Sequence, residues 1–297
     1  MKQFAIIAPT ASGKTALSIE LAHKTNSIIL SLDSLAIYKQ INIASAKPTL
    51  EERDGIKHFG IDVINPNEHF DVMEFINLYK QSSQYAKENN KNLIIVGGTG
   101  FYLKAMIDGL SVIPAFSTQT LSWVQKQLSN LDQAYKYMKT KDESYMKNIA
   151  STDKYRIEKA LGIYKQTNIL PSIYFEQNPP QPIIEDLDIY EIDWEVDKLR
   201  ERIALRTKIM LDDGVIDEVI SLEQQYSRDV NCMNSIGIKE TLEYLDGKVS
   251  KEQLEINIAT NTARLAKRQR TFNNGQFTNV IKKDLTNLKQ HILKEQL

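Results

Sequence analysis

The chain has 297 residues, 37 Lys+Arg against 38 Asp+Glu for a net charge of −1, and 42% hydrophobic with 25% charged residues. That composition excludes disorder and a surface coated in positive charge, while the length allows a full core and a second, smaller module. Cys232 is the one cysteine, which excludes a disulfide framework and a multi-cysteine zinc site and fits a reducing cytoplasm.

In chain order, residues 4–8 read as a strand and residues 15–24 as a helix packing through Ala16, Leu17, Ile19, Leu21 and Ala22. A strand over 27–32, a short strand over 60–64, a long helix over 72–89 and a buried strand over 92–96 follow. Runs such as Leu93-Ile94-Ile95-Val96 suit strands covered on both faces, and the βα alternation predicts a parallel sheet with helices on each side. None of the apolar runs approaches the ~20 residues of a membrane helix. The start carries no charged leader or cleavage site, so no membrane partner is expected.

Near Val112–Ala115 the pattern turns to Lys, Gln, Tyr and Met at helical spacing, predicting a helical insertion over residues 114–179 whose Tyr and Met are packing residues. Asn178-Pro179-Pro180-Gln181-Pro182 cannot continue a helix and is expected to be an extended linker. Residues 187–192 return as a strand. Helices over 196–213 (closed by Gly214), 217–226 and 251–272 follow, then a strand over 278–282 and a terminal helix. Residues 1–113 and 180–297 would form the α/β core.

The sharpest motif is Ala8-Pro9-Thr10-Ala11-Ser12-Gly13-Lys14-Thr15, between the first strand and the first helix. It is a P-loop with Ala8 in place of its first glycine. Such a loop wraps a phosphate in backbone N–H groups at a helix N-terminus; Lys14 adds a point charge and Thr15 a hydroxyl for Mg²⁺. The cradle serves either phosphoryl transfer or the holding of a leaving diphosphate while the attached carbon is attacked. Both need groups at the carboxyl ends of neighbouring strands, where Asp33 and Thr99 fall; Asp33 could equally cap a turn. His23, His58, His69 and His291 show no metal-ligand spacing.

The strings Asp33-Ser34-Leu35-Ala36-Ile37-Tyr38-Lys39, Ala46-Lys47-Pro48, Gly97-Gly98-Thr99-Gly100-Phe101-Tyr102, Ile236-Gly237-Ile238-Lys239-Glu240 and Thr262-Ala263-Arg264-Leu265-Ala266-Lys267-Arg268-Gln269, with Arg206 ahead of Met210-Leu211, resemble the bacterial tRNA dimethylallyltransferase (tRNA isopentenyltransferase) family over nearly the whole chain. Departures are Ala8, Ala44-Ser45 where the family has Gly-Thr, and Gly162 where it commonly has Glu.

The resemblance implies a P-loop NTPase-like fold and a monomer. It implies transfer of a dimethylallyl group from dimethylallyl diphosphate, with Mg²⁺, to the exocyclic amine of the adenine 3′ of the anticodon, in tRNAs reading codons that begin with U. Asp33 would be the general base. Thr99 and Arg206 would stabilise the diphosphate with residues Ala8–Thr15, and Arg206 could otherwise be a surface arginine. Ser34, Leu35 and Ala36 would hold the flipped base beside Asp33 and Thr99. The anticodon arm would meet Lys267 and Arg268, with Arg264 and Arg270, on one helix and Lys154, Arg156 and Lys159 on another. A P-loop small-molecule kinase, an adenylate isopentenyltransferase and a nucleotide switch remain the alternatives; the helical insertion and the basic helix favour tRNA.

Overall fold

A computed structural model describes residues 1–296. In chain order the elements are β1 (Gln3–Ile7), α1 (Lys14–Lys24), β2 (Ser27–Leu32), β3 (His58–Phe59), α2 (Val72–Glu88), β4 (Asn92–Gly97), α3 (Gly100–Asp108), α4 (Thr118–Leu128), α5 (Leu131–Lys141), α6 (Glu143–Met146), α7 (Lys154–Thr167) and α8 (Pro171–Gln177). They continue with β5 (Asp188–Ile192), α9 (Val196–Asp212), α10 (Val215–Gln225), a 3₁₀ turn (Asn231–Asn234), α11 (Ile238–Leu245), α12 (Lys251–Gln276), β6 (Val280–Lys283) and α13 (Leu285–Gln296).

The strands form one parallel sheet in the order β3-β2-β4-β1-β5-β6, the architecture the βα alternation predicts. β1 lies between β4 and β5, pairing Ile6 with Val96 on one side and Tyr190 on the other. α1 and α13 cover one face, where Phe4, Ile6, Leu17, Leu21, Tyr190, Leu288 and Ile292 share a core, and α2 packs on β2 and β4. Asp71 starts α2 by accepting the amides of Met73 and Glu74. Gly214, at φ 95°, breaks α9 from α10 in the left-handed conformation that favours glycine.

Two expectations change. The short strand falls at His58–Phe59 instead of 60–64: Gly60, at φ 78°, turns the chain where a Cβ would press on the Ser31 carbonyl, and Ile64 keeps only a bridge to Tyr38. The helices α3 and α11 had no counterpart in the sequence reading, and α12 runs past residue 272 because Asn273 is still buried in its packing face.

The chain divides into two compact units, residues 1–105 with 184–297 and residues 106–183. The second unit is helical, with a core of Val124, Ala134, Met138, Met146, Ile157, Ala160 and Leu161. Its entry and exit segments pair at Leu110 and Gln181, and Ile183 donates to the Met106 carbonyl, so the proline-rich exit is extended and held. Gly162 packs under the Phe116 ring, where any Cβ would collide, which gives the departure at this position a physical reason.

Candidate functional site

The P-loop leaves β1 at its carboxyl end. Ala8 is fully buried and its N–H donates to the Gly97 carbonyl at 3.3 Å, so Ala8 belongs to the sheet and offers no donor to a phosphate, a correction to its expected place in the cradle. Pro9 has no N–H. Its carbonyl accepts from Lys14 Nζ at 3.3 Å. The left-handed positions fall at Ala11 (φ 63°) and Gly13 (φ 85°), which is why alanine is tolerated at position 8. The N–H groups of Ala11, Ser12, Gly13, Lys14 and Thr15 have no partner among the described residues and sit where α1 begins.

Four side chains hold this loop from outside. Thr10 N–H donates to Gln269 Oε1 (2.9 Å), Arg206 Nη1 donates to Thr10 Oγ1 (3.0 Å), Arg202 Nε to the Ala11 carbonyl (2.8 Å) and Trp194 Nε1 to the Ser12 carbonyl (3.0 Å). Arg206 is half-buried in this network, which excludes its reading as a surface arginine. Burial pushes its guanidinium down, with the Asp33 carboxylate opposing. Burial also pushes the Lys14 ammonium down to about 8; Asp33 opposes the fall and Arg206 adds to it.

Asp33 follows β2 and does two things. Its Oδ1 caps the next turn, accepting the amides of Leu35 (2.8 Å) and Ala36 (3.0 Å), while Oδ2 takes no hydrogen bond among the described residues. Thr99 follows β4; its N–H donates to the Leu32 carbonyl at 3.2 Å, tying the two strand ends together. Thr10, Lys14, Asp33, Ser34, Thr99 and Arg206 then line one cavity of about 290 Å³, together with the apolar Leu35, Ala44, Ile203, Met210, Ile236, Ile258 and Leu265 and the polar Ser45, Thr207, Asn234, Ser235, Thr262 and Gln269. A small recess of about 60 Å³ beside it gathers Thr15, Ser31 and Asp33 with Ala36, Lys47 and His58. Ala36 is buried and faces this recess instead of the larger cavity.

The arrangement combines a carboxylate with one free oxygen, two cations, unused amides and several apolar side chains. It can hold an anionic group at one end, an apolar chain along the side, and accept a proton.

A family model described as IPP transferase matches residues 36–276. The chain belongs to the IPP transferase family. It is 58% identical to the tRNA dimethylallyltransferase of Aliarcobacter butzleri over 99% of both chains, and 53% identical to that of a Sulfurovum species over 99% of this chain and 98% of the relative. Among solved structures it resembles the full-length tRNA isopentenylpyrophosphate transferase of Bacillus halodurans (TM-score 0.72, 30% identity, covering 99% and 97%). It also resembles a eukaryotic dimethylallyltransferase acting on tRNA (TM-score 0.85, 25% identity, covering 98% of this chain and 76% of that one).

The basic residues expected to meet RNA fall into separate groups. Arg264, Lys267 and Arg270 border a groove of about 730 Å³ between α9 and α12, floored by Val196, Leu199, Ile203, Ala259, Ala263 and Ala266. Arg268 is exposed and borders neither this groove nor the P-loop cavity. In the helical unit, Arg156 is exposed and pairs with Asp153 at 3.5 Å, and Lys159 lies over the Phe116 and Tyr155 rings. Sequence reasoning gave no role to Gln269, Arg202, Trp194 or Glu218. Glu218 accepts the amides of Asn42 (2.7 Å), Ile43 (2.8 Å) and Ala44 (2.9 Å), fixing the loop that carries Ala44 and Ser45 to the cavity wall. The only signal for Gln269 was its place in the Ala266-Lys267-Arg268-Gln269 string.

Proposed function

We propose that the chain transfers a dimethylallyl group from dimethylallyl diphosphate to the exocyclic amine of the adenosine immediately 3′ of a tRNA anticodon, releasing diphosphate. The observation that carries this reading is the meeting of the unpaired Asp33 oxygen with Lys14, Arg206 and the free loop amides around one cavity that also carries apolar side chains such as Leu35, Ile203, Met210 and Ile236.

The exocyclic amine is a weak nucleophile because its lone pair is delocalised, so it gains from losing a proton as the C–N bond forms; Asp33 Oδ2 accepts that proton. Opposite, the C–O bond breaks and its electron pair goes to the diphosphate, where Lys14, Arg206 and the amides of residues 11–15 meet the growing charge. Thr99, which lines the same cavity, would add a hydroxyl donor. Leu35, Ile203, Met210 and Ile236 would take the apolar tail and limit the water competing for the allylic carbon.

Among the described residues no cluster of three His, Cys, Asp or Glu could cage a metal. Thr15, Ser31 and Asp33 supply oxygen donors in the small recess. Such a set fits Mg²⁺, which takes one or two protein oxygens and leans on phosphates and water, with Thr15 as its holder. Bound there, Mg²⁺ would neutralise diphosphate charge.

The anticodon arm would be met by Ser34 and Leu35 at the cavity mouth, by Lys267 with Arg264 and Arg270, and by Arg156 and Lys159 of the helical unit. No helix among the described residues is long and apolar enough to cross a membrane. A tRNA substrate and a single buried, free cysteine fit a reducing cytoplasm.

The test is incubation with Mg²⁺, dimethylallyl diphosphate and unmodified tRNA, then mass spectrometry of the digested nucleosides. Prenylated adenosine beside the anticodon is expected. In Asp33→Asn the amide oxygen still caps Leu35 and Ala36, so tRNA affinity should stay within about twofold while kcat falls ~10²–10⁴-fold. An undiminished rate would remove Asp33 as base, and unmodified tRNA with the wild type would refute the transferase reading.

A further inference from the structure

Gln269 stands on α12 with its amide turned in a way the chemistry dictates. The Thr10 peptide N–H points at it from 2.9 Å, and an N–H can only donate, so the atom facing the loop is Oε1. The amide nitrogen therefore faces away from Thr10. It lies against Gly98, where a Cβ would collide with it, and it donates to nothing among the described residues. Gln269 lines the same cavity as Lys14, Asp33, Thr99 and Arg206.

The two N–H bonds of Nε2 are thus left without a partner among the described residues. Thr10 decides which end of the cavity they serve. Arg206 is anchored on the Thr10 side chain and Gln269 on its backbone, and both line the same cavity as Lys14, so the Gln269 amide stands beside the cationic groups that would meet an anion.

Resting on the reaction proposed above, we infer that Gln269 Nε2 is a substrate-binding donor to the leaving diphosphate. In that reaction the bond between the allylic carbon and the diphosphate oxygen breaks, and its electron pair stays on the oxygen. The amine lone pair forms the new C–N bond, and the amine proton passes to Asp33. Gln269 transfers no proton; its N–H groups face oxygens whose charge grows as the C–O bond breaks, which favours the transition state over the ground state. Gly98 has its own part: only glycine lets the amide come this close to the end of β4.

Two substitutions separate this role from that of a loop brace. Glutamate keeps the acceptor for Thr10 and replaces the free N–H groups by a negative charge; methionine removes both and adds no charge. If Gln269 only braces the loop, Gln269→Glu is harmless and Gln269→Met the worse variant. If it binds diphosphate, the order reverses. Calorimetry with inorganic diphosphate and Mg²⁺ should show Gln269→Glu weakened by at least ~10-fold and Gln269→Met by less, with the KM for dimethylallyl diphosphate moving in parallel.

Affinity of Gln269→Glu for an unmodified anticodon stem-loop should stay within about twofold. Wild-type diphosphate affinity in Gln269→Glu, methionine as the worse change, or an equal loss of stem-loop binding in both variants would each overturn the assignment. If the wild type prenylates tRNA and Gln269→Glu is undisturbed, this inference alone falls; if the wild type binds diphosphate and prenylates no tRNA, the reaction it rests on falls with it.

Discussion

Lys14 makes the unliganded protein less stable than its neutral counterpart would be. Its ammonium falls from the ordinary 10.5 to about 8 because burial strips its water, with Asp33 offsetting only part of that loss. A fall of that size corresponds to about 3 kcal/mol against folding while the group is charged in both states. The hydrogen bond to the Pro9 carbonyl returns about 1 kcal/mol.

Lys14→Met, similar in length and uncharged, should therefore raise stability by about 2 kcal/mol at pH 7, or several degrees in Tm for a chain of this size. The sign of the pH dependence follows from which state binds more protons. Between about 8 and 10.5 the unfolded lysine still holds a proton that the folded one has released, so wild-type stability rises with pH. The advantage of the variant is complete below about 8 and slightly reversed near 10.5, where the wild type has recovered most of the ~3 kcal/mol and keeps its hydrogen bond. Thermal unfolding by circular dichroism at pH 7 and 10.5 measures both. Saturating inorganic diphosphate with Mg²⁺ should restore the order at pH 7, since only the wild type retains the anion contact. A variant no more stable at pH 7, or a gain unchanged at high pH, refutes the claim that burial of this charge is what depresses it.

Glu218→Ala should strand the three amides of residues 42–44, lowering urea-unfolding stability by about 2 kcal/mol and raising the KM for the allylic donor, with Glu218→Gln intermediate; an unchanged KM would detach this loop from the cavity. Lys267→Ala combined with Arg270→Ala should flatten the slope of log K against log salt for a stem-loop by about 1.4, the value for two phosphate contacts on single-stranded RNA, leaving the donor KM unchanged; an unaltered slope would place RNA elsewhere. Gly162→Val should destabilise the helical unit by about 1–3 kcal/mol through its collision with Phe116, and Phe116→Ala should recover part of that loss; additivity of the two changes would deny the contact.

What was legible in the sequence was what is local. The P-loop string, the carboxylate after β2 and the Thr after β4 are each placed by the element that carries them, and periodicity alone gives those elements; Arg206 on α9 stands out only through the family resemblance. Asp33 was ambiguous in sequence because an Asp after a strand can cap a turn or face a ligand; it does both, one oxygen for each. The restraints on the loop were invisible because each is a single long-range contact: Gln269 lies 259 residues from Thr10 and Trp194 lies 182 from Ser12. No spacing rule spans such distances. The misplaced short strand has a different cause, since β-propensity runs through Ile61-Asp62-Val63-Ile64 while the sheet ends where Gly60 turns away. α3 was missed because Gly97-Gly98 reads as a strand exit, although Tyr102, Leu103, Ala105 and Met106 are buried at helical spacing.

The central position of β1, between β4 and β5, also orders events during synthesis. Translation delivers residues 1–105 first, and they present β1 as an open edge with nothing on its far side until residues 188–192 emerge. Residues 106–183 are contiguous, so the helical unit can complete its own core while that edge waits. The phosphate loop, made within the first fifteen residues, acquires its outside supports only as positions 194, 202, 206 and 269 leave the ribosome. A nascent chain truncated before α12 carries the whole motif and three of its four outside supports, and lacks only the one that Gln269 gives to Thr10.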